Sequence, residues 1–598
     1  MSKYLLDKLK IKKFRREIEP NEILMDALSL KKEKEIGITG KKLEVPISQG
    51  IFRGVWLGIL ILFSVFFGRT FQLQIIEGKT LSEQSEKNQF VVKAVGAERG
   101  VIYDKNFNQL IYNKPSFNFI CDGKIAMENI DHETLLKLET SLKEYKGCKI
   151  ENNTVREYFS GPLFSHLIGY LRQTGQSSGL EQYYDEILAP KTGELRIKRD
   201  AIGNPMSEEI VSMPESGNSL ILWLDSGLQE KIANSLEETI NRVGANGGAA
   251  IAMDPKTGGI LALTSLPSFD NNLFSQGLTE DEWNALQGDR SNPLFNRVVS
   301  GRYLTGSIIK PLIALAALQE KIISPEKELY CGGSINIPNP WDPDIFTIKK
   351  DWDIHGWSDM KKAIAESCNV YFYTIGGGYQ DQKGLGPTKI KEYLDIFGWS
   401  SLTGIDLPEE AQGFIPDKEW KKKEFGQSWW DGDTYNLAIG QGFLLISPLE
   451  VITSLAAVAN GGKLIQPQIV RQIVDSSKNI IKEFETKLIR ENFIDPDNLQ
   501  IVREGMRQAV TGQNSPHASG VILNSLPVAA ALKTGTAEIG AGFRHNWVTV
   551  FAPYDDPQII LTVLIEKVDG DQVVALPLAR EILDWYFSTP RGVDNNVR

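Results

Sequence analysis

Cysteine and histidine are scarce: a chain of 598 residues holds four of the first and five of the second. Four cysteines at this length are not a disulfide framework. An excess of positive charge is missing too. Net charge is −11, pI is about 5.3, and no basic domain stands out, which argues against nucleic acid as a partner. No internal repeat is visible. What remains is the composition of a folded protein, 42% hydrophobic and 24% charged with 53 glycines. The length exceeds what one core serves, so two or three domains are expected.

Long uncharged runs are rare as well, and one decides the topology. Residues 54–68, "GVWLGILILFSVFFG", are fifteen positions without a charge between Arg53 and Arg69. The run is apolar all round rather than striped, as a membrane span is and a core helix is not. It is slightly short for a hydrocarbon core, but arginine stems can snorkel and apolar residues continue through "TFQLQII". The fifty or so residues ahead of it argue against a cleaved signal peptide. Thirteen Lys/Arg occur up to Arg53, against only Lys79 and Lys87 in the twenty positions after Arg69. That asymmetry puts the N-terminus in the cytoplasm and everything beyond about residue 75 outside. There, Cys121 and Cys148 could pair.

The expected organisation is a cytoplasmic tail over 1–50, a transmembrane helix over 51–75, a pedestal over 76–218, a large domain over 219–588 and a flexible end over 589–598. The pedestal mixes short strands ("FVVKAVGAERGVIYD", "SFNFICD") with amphipathic helices, an α+β module. In the large domain, "GGAAIAMD" and "GILALTSL" are strands joined by the turn "PKTGG". Helices and loops follow, and strands return in "VAAALKTGTAE", "NWVTVFAP" and "QIILTVLIEKV". A sheet contributed by both ends of the domain, with helices between, is what this order suggests.

The stretch "RYLTGSIIKPLIALAALQE", 302–320, places Ser307 three positions before Lys310 at the start of an apolar helix, so both share one face. Such a pair is cheap; Ser29/Lys32 and Ser358/Lys361 repeat it. Ser-x-Asn occurs at Ser116, Ser216 and Ser367, and Lys-Thr-Gly at Lys191, Lys256 and Lys533. Context chooses among them. Ser29 falls on the cytoplasmic side, Lys256 in a tight turn and Lys191 in a polar loop. Lys533 follows an apolar strand, and Ser367 with Asn369 opens "SCNVYFYTIGGG", a loop leading into an apolar element. Ser-x-x-Lys, Ser-x-Asn and Lys-Thr-Gly at 307, 367 and 533 form the ordered triplet of penicilloyl serine transferases.

On that triplet the chain resembles the class B penicillin-binding proteins, and most of all the elongation-type penicillin-binding protein 2 group. "ERGVIYDKNFNQLIYN", "GLEQYYDEIL", "AIAMDPKTGGILALTSLPSFDNN", "NLAIGQGFLLISPLE" and "NWVTVFAPYDDP" extend the likeness over about 500 residues. One departure is Thr305, where the family usually has proline before Gly306. The resemblance implies a single transmembrane helix, an extracytoplasmic α+β pedestal of dimerisation type, and an α/β penicilloyl-serine-transferase domain with an antiparallel sheet flanked by helices. The implied activity is D,D-transpeptidation of peptidoglycan stem peptides in side-wall elongation at the inner membrane, and the same acyl-enzyme allows D-Ala-D-Ala carboxypeptidase activity. β-Lactams would bind, and a RodA-type glycan polymerase of the elongation complex would be the membrane partner. Rivals are a division-type transpeptidase, a β-lactamase or sensor, and a catalytically inactive scaffold for a polymerase.

A serine hydroxyl attacks an amide only if its proton is taken, and a lysine can take it where burial and neighbouring positive charge keep it partly neutral. With the resemblance, Ser307 is the expected nucleophile and Lys310 its base, with Lys533 supplying the neighbouring charge. Ser367 would relay a proton to the leaving amine, and Asn369 would hold the substrate amide and orient Lys310. Lys533, Thr534 and Thr536 would receive the terminal carboxylate, while Gly535 lets the strand approach the substrate backbone. The N–H groups of Ser307 and Thr536 would form the oxyanion hole.

Cys331, Asp351, His355 and Cys368 offer two sulfurs, a carboxylate and an imidazole, suitable for one structural Zn2+. The elongation group is similar in having ligands at these places, and the His–Cys spacing fits. Asp353 competes with Asp351. Two buried cysteines with an isolated histidine are the plainer alternative. His132, His166, His517 and His545 show no ligand partner in the sequence.

Overall fold

The computed structural model describes residues 31, 32, 35 and 49–589, except 123, 142–144, 146, 173, 174, 201, 203, 340, 341 and 571. Most of the tail expected over 1–50, and the end beyond 589, lie outside the described residues. Two compact units are present: the described residues up to Val91 together with Arg196–Glu208, and Val92–Leu195 together with Glu209 onward.

The first unit is dominated by the helix Gln49–Phe71, which continues as a π-helical turn, Gln72–Ile76. None of its residues is buried. This 28-residue segment holds an 18-residue window of mean hydropathy 2.1 and is long and apolar enough to cross a membrane. A second helix, Gly78–Gln89, is polar.

The second unit is organised by a five-stranded antiparallel sheet, in spatial order Ile260–Leu266, Gly247–Met253, Ile559–Asp569, Phe543–Ala552 and Ala531–Gly540. Its strands come from both ends of the domain, as the sequence suggests. Period-two alternation divides them between two cores. Ala250 and Ala252 of one strand, and Leu561 and Val563 of another, meet the helices Ser226–Val243 and Ala575–Ser588. Ile251 and Met253, with Ile560 and Leu564, meet the apolar helices Lys310–Gln319 and Pro448–Ala459 on the opposite face. Each fully buried aliphatic side chain adds about 1.5–3 kcal/mol. The result is a rigid platform whose free edge is Ala531–Gly540.

Nearer the N-terminus, Lys124–Ile130, Ile111–Cys121 and Cys148–Tyr158 form a small antiparallel sheet. Cys121 and Cys148 face each other in register and are disulfide-bonded. Ile102–Tyr103 pairs in parallel with Ser219–Leu222, which tethers this region to the large domain.

Candidate active site

Ser307 lies in a 3-10 turn, Gly306–Ile309, and the α-helix begins only at Lys310. The serine therefore stands one tight turn ahead of the helix it was expected to start. Gly306 has φ +53°, and a Cβ there would come within 2.5 Å of the Thr536 carbonyl oxygen. Its N–H donates to the Gly440 carbonyl at 2.9 Å. The turn is thus wedged between the sheet edge and the 436–442 segment. Thr305 is fully buried and helical (φ −88°, ψ −21°), so the turn closes without proline.

Lys310 is wholly buried. Its amine donates to the Ser367 carbonyl at 2.6 Å, to Asn369 Oδ1 at 2.7 Å and to Ser367 Oγ at 3.3 Å. The Ser307 hydroxyl is not among these partners. Lys533 is equally buried, and its Nζ donates to Ser367 Oγ at 2.8 Å and to the Thr534 carbonyl at 2.9 Å. Ser367 Oγ therefore accepts from both lysines. Its backbone sits at φ +57°, a left-handed conformation costing about 1–2 kcal/mol for a residue with a Cβ. The helix Asn369–Gly377 starts immediately after Cys368, whose Sγ accepts from the Tyr371 N–H at 3.2 Å.

Burial lowers the Lys310 amine to about 8, against the opposing pull of Asp351, Cys368 and Cys331. Lys533 is held well below its ordinary value, first by burial and then by the charge of Lys310. The sequence reading had Lys533 depressing Lys310; the stronger depression runs the other way, because Lys533 has no compensating anions.

Along the edge strand Lys533 and Gly535 are buried, whereas Thr534 is half-buried and Thr536 exposed. A Cβ on Gly535 would lie 2.7 Å from the Thr305 carbonyl oxygen. The close approach seen on this side of the strand is to the serine turn. The two other Lys-Thr-Gly copies stay on the surface, where Lys191 pairs with Glu215 and Lys256 with Asp556.

Beside this cluster, Cys331 and Cys368 bring their sulfurs to 2.7 Å, and Cys368 Sγ lies 3.3 Å from Asp351 Oδ2. His355 Nε2 is 3.6 Å from Asp351 Oδ1. That nitrogen is buried and has no hydrogen-bond partner among the described residues. Its other ring nitrogen, Nδ1, is bonded to Glu366 Oε2 at 2.8 Å. Donor atoms of Asp351, His355 and Cys368 all lie within 4.8 Å of one another. An orphaned imidazole nitrogen, a carboxylate and the Cys368 sulfur, with a second carboxylate orienting the ring, suit zinc, whereas the Cys331 sulfur lies outside this group and meets it through Cys368. Of the two competing aspartates, Asp353 is outside the group. It pairs instead with His517 Nδ1 at 2.9 Å, so His517 has a partner the sequence did not suggest. The thiols are unequal: burial pushes Cys368 up, while a hydrogen bond from Cys368 lowers Cys331. His166 and His545 are buried away from the cluster, and desolvation takes each to about 4.

Two contributors were missed. Glu366 directly precedes Ser367, and asking which acid flanks the motif would have found it. Gly440 stood in the phrase "NLAIGQG" without a role.

Residues 248–584 match the penicillin binding protein transpeptidase domain, and residues 122–222 match the penicillin-binding protein dimerisation domain. The first covers more than half the chain, and the chain belongs to the penicillin-binding protein transpeptidase family. It is 27% identical over 615 residues to peptidoglycan D,D-transpeptidase MrdA of Haemophilus influenzae, covering 89% of this chain and 91% of that protein. Over 614 residues it is 29% identical to MrdA of Acinetobacter baumannii, covering 90% and 87%. Among solved structures, the complex of penicillin-binding protein 2 and MreC from Helicobacter pylori is similar at TM-score 0.72 and 26% identity, with 83% of this chain and 99% of that one covered.

Proposed function

We propose that this chain is a peptidoglycan D,D-transpeptidase of side-wall elongation, which joins stem peptides through an acyl-enzyme on Ser307. The observation that carries the reading is the convergence of two buried lysines on Ser367 Oγ beside the serine turn. Kinship with MrdA and with penicillin-binding protein 2 favours elongation over division.

The chemistry follows from proton positions. A neutral Lys310 keeps two N–H bonds, for the Ser367 carbonyl and Asn369 Oδ1, and has its lone pair free for the Ser307 proton. Ser307 Oγ then attacks the carbonyl between the terminal D-alanines. The N–H groups of Ser307 and Thr536 hold the oxyanion, an effect of about 3–4 kcal/mol per donor. Through Ser367 Oγ the proton reaches the leaving D-Ala amine. The substrate lies along the open edge of Ala531–Gly540 as an added strand, and its carboxylate meets Lys533, Thr534 and Thr536. An arriving carboxylate opposes the depression of Lys533 and favours its charged form. The amine of a second stem peptide attacks the ester carbonyl, Lys310 again takes a proton, and Ser307 leaves. Water in place of that amine gives carboxypeptidase activity. β-Lactams enter by the same attack and stay on Ser307.

Cys331, Asp351, His355 and Cys368 would hold one structural Zn2+, which supplies positive charge to offset their anions and pins the Ser367 loop. The helix Gln49–Phe71 would anchor the chain in the inner membrane with its N-terminus cytoplasmic. The bonded Cys121–Cys148 pair supports an oxidising, extracytoplasmic setting for the remainder. A RodA-type polymerase of the elongation complex is the partner this anchor would meet.

Acylation by a fluorescent penicillin, compared with Ser307→Ala and followed by mass over hours, tests the reading. A lasting adduct on the native chain alone supports it. Rapid loss of the adduct points to a β-lactamase, and absence of any adduct to a scaffold.

A further inference from the structure

The chain treats its two cysteine pairs differently. Cys121 and Cys148 are bonded. Cys331 and Cys368 are free and have no exposed surface, yet their sulfurs stand 2.7 Å apart, closer than unbonded sulfurs rest against each other. Both pairs lie in one compact unit and so share one oxidising setting, which the second meets only once its buried sulfurs are uncovered. Thiolates bound to a metal are withheld from oxidation because their electron pairs are engaged. We infer that Cys331–Cys368 is a metal-gated disulfide: a pair of zinc ligands while the cluster is loaded, and a sulfur–sulfur bond once the metal has gone. This rests on the zinc reading above.

The step balances with a peroxide or an exported dithiol oxidase as oxidant. With peroxide, each thiolate gives up one electron and the S–S bond forms. The O–O bond breaks, and its two oxygens take two electrons and two protons to leave as water. The bond forms after the metal has left, and it leaves Asp351 and His355 without sulfur partners. Cys368 is one residue from both Ser367 and Asn369, which hold the Lys310 amine. Its Sγ also accepts the Tyr371 N–H at 3.2 Å, which starts the following helix. Moving that sulfur onto Cys331 displaces the groups that orient Lys310, and a shift of 1 Å costs about a hundredfold in rate. Reversal needs a dithiol first and zinc second.

The test uses the full-length chain in detergent. Metal content, intact mass and non-reducing peptide maps are recorded as purified, after chelation, and after chelation followed by hydrogen peroxide. The expected result is zinc with two free thiols at the start. Chelation and peroxide then remove two hydrogens and cross-link the Cys331 and Cys368 peptides, with no zinc rebinding until dithiothreitol is added. Cys331→Ser cannot cross-link, and its Cys368 gains oxygen instead. A loaded protein whose thiols stay free, or oxidise singly, after chelation overturns the inference and leaves the zinc reading standing. A chain that takes no metal even when fully reduced removes the zinc reading and the gating with it.

Discussion

A lysine serves as a base only where its proton is loosely held, and burial, against the pull of Asp351, Cys368 and Cys331, takes Lys310 to about 8. Below that pH the amine is an ammonium with no lone pair for the Ser307 proton. Acylation by penicillin should therefore rise about tenfold per pH unit on approach to 8 and level off above it. Stopped-flow acylation between pH 6 and 10 checks this; a flat profile would remove Lys310 as the base. Lys533 is also held well below its ordinary value, by burial and by the charge of Lys310. At this scale the sequence was legible where residue type and spacing define the chemistry, as in Ser307–Lys310 and Ser367–Asn369. It was not legible where direction matters. Asp351 and Asp353 are two acids in one loop, and only the folded backbone turns the first toward Cys368 and the second toward His517. The same holds for which lysine depresses the other, since that depends on anions brought near Lys310 by tertiary structure.

Between elements, the Cys121–Cys148 bond joins the facing ends of Ile111–Cys121 and Cys148–Tyr158. A bond closing a loop of 27 residues restricts the unfolded chain by about 3.5 kcal/mol. The double change Cys121→Ser with Cys148→Ser should weaken the sheet over 111–158 by about 3 kcal/mol. Hydrogen exchange would show the loss confined to those residues, with penicillin acylation unchanged; loss spread into Gly247–Met253 would mean the small sheet supports the large one. Most strands of the main sheet could be read from sequence because they are apolar runs, and Ala531–Gly540 because it starts within one, "VAAAL". Ile102–Tyr103 could not, since two residues carry no period and its pairing with Leu220 and Ile221 is made across more than a hundred positions.

For the molecule as a whole, the catalytic groups and the apolar helix belong to separate compact units. The helix Gln49–Phe71 has 23 residues, a length of about 35 Å at 1.5 Å per residue, enough for a hydrocarbon core of about 30 Å. Ile51, Phe52, Trp56, Leu60, Phe63 and Phe67 are all exposed along it. Water does not tolerate so large an apolar surface on a monomer, and a bilayer or a partner helix covers it. Ser307, Lys310, Ser367 and Lys533 draw their partners from residues beyond 300, so the site's geometry owes nothing to that helix. A chain beginning at residue 77 should therefore stay in the aqueous phase and react with penicillin within about twofold of the full-length rate. In cells depleted of the full-length protein it should fail to restore cell shape, because on the proposed partnership transpeptidation has been separated from a membrane polymerase. Restoration of shape by the truncated chain would show that the helix is no more than an anchor. Loss of acylation would show instead that the first unit is needed to fold the second.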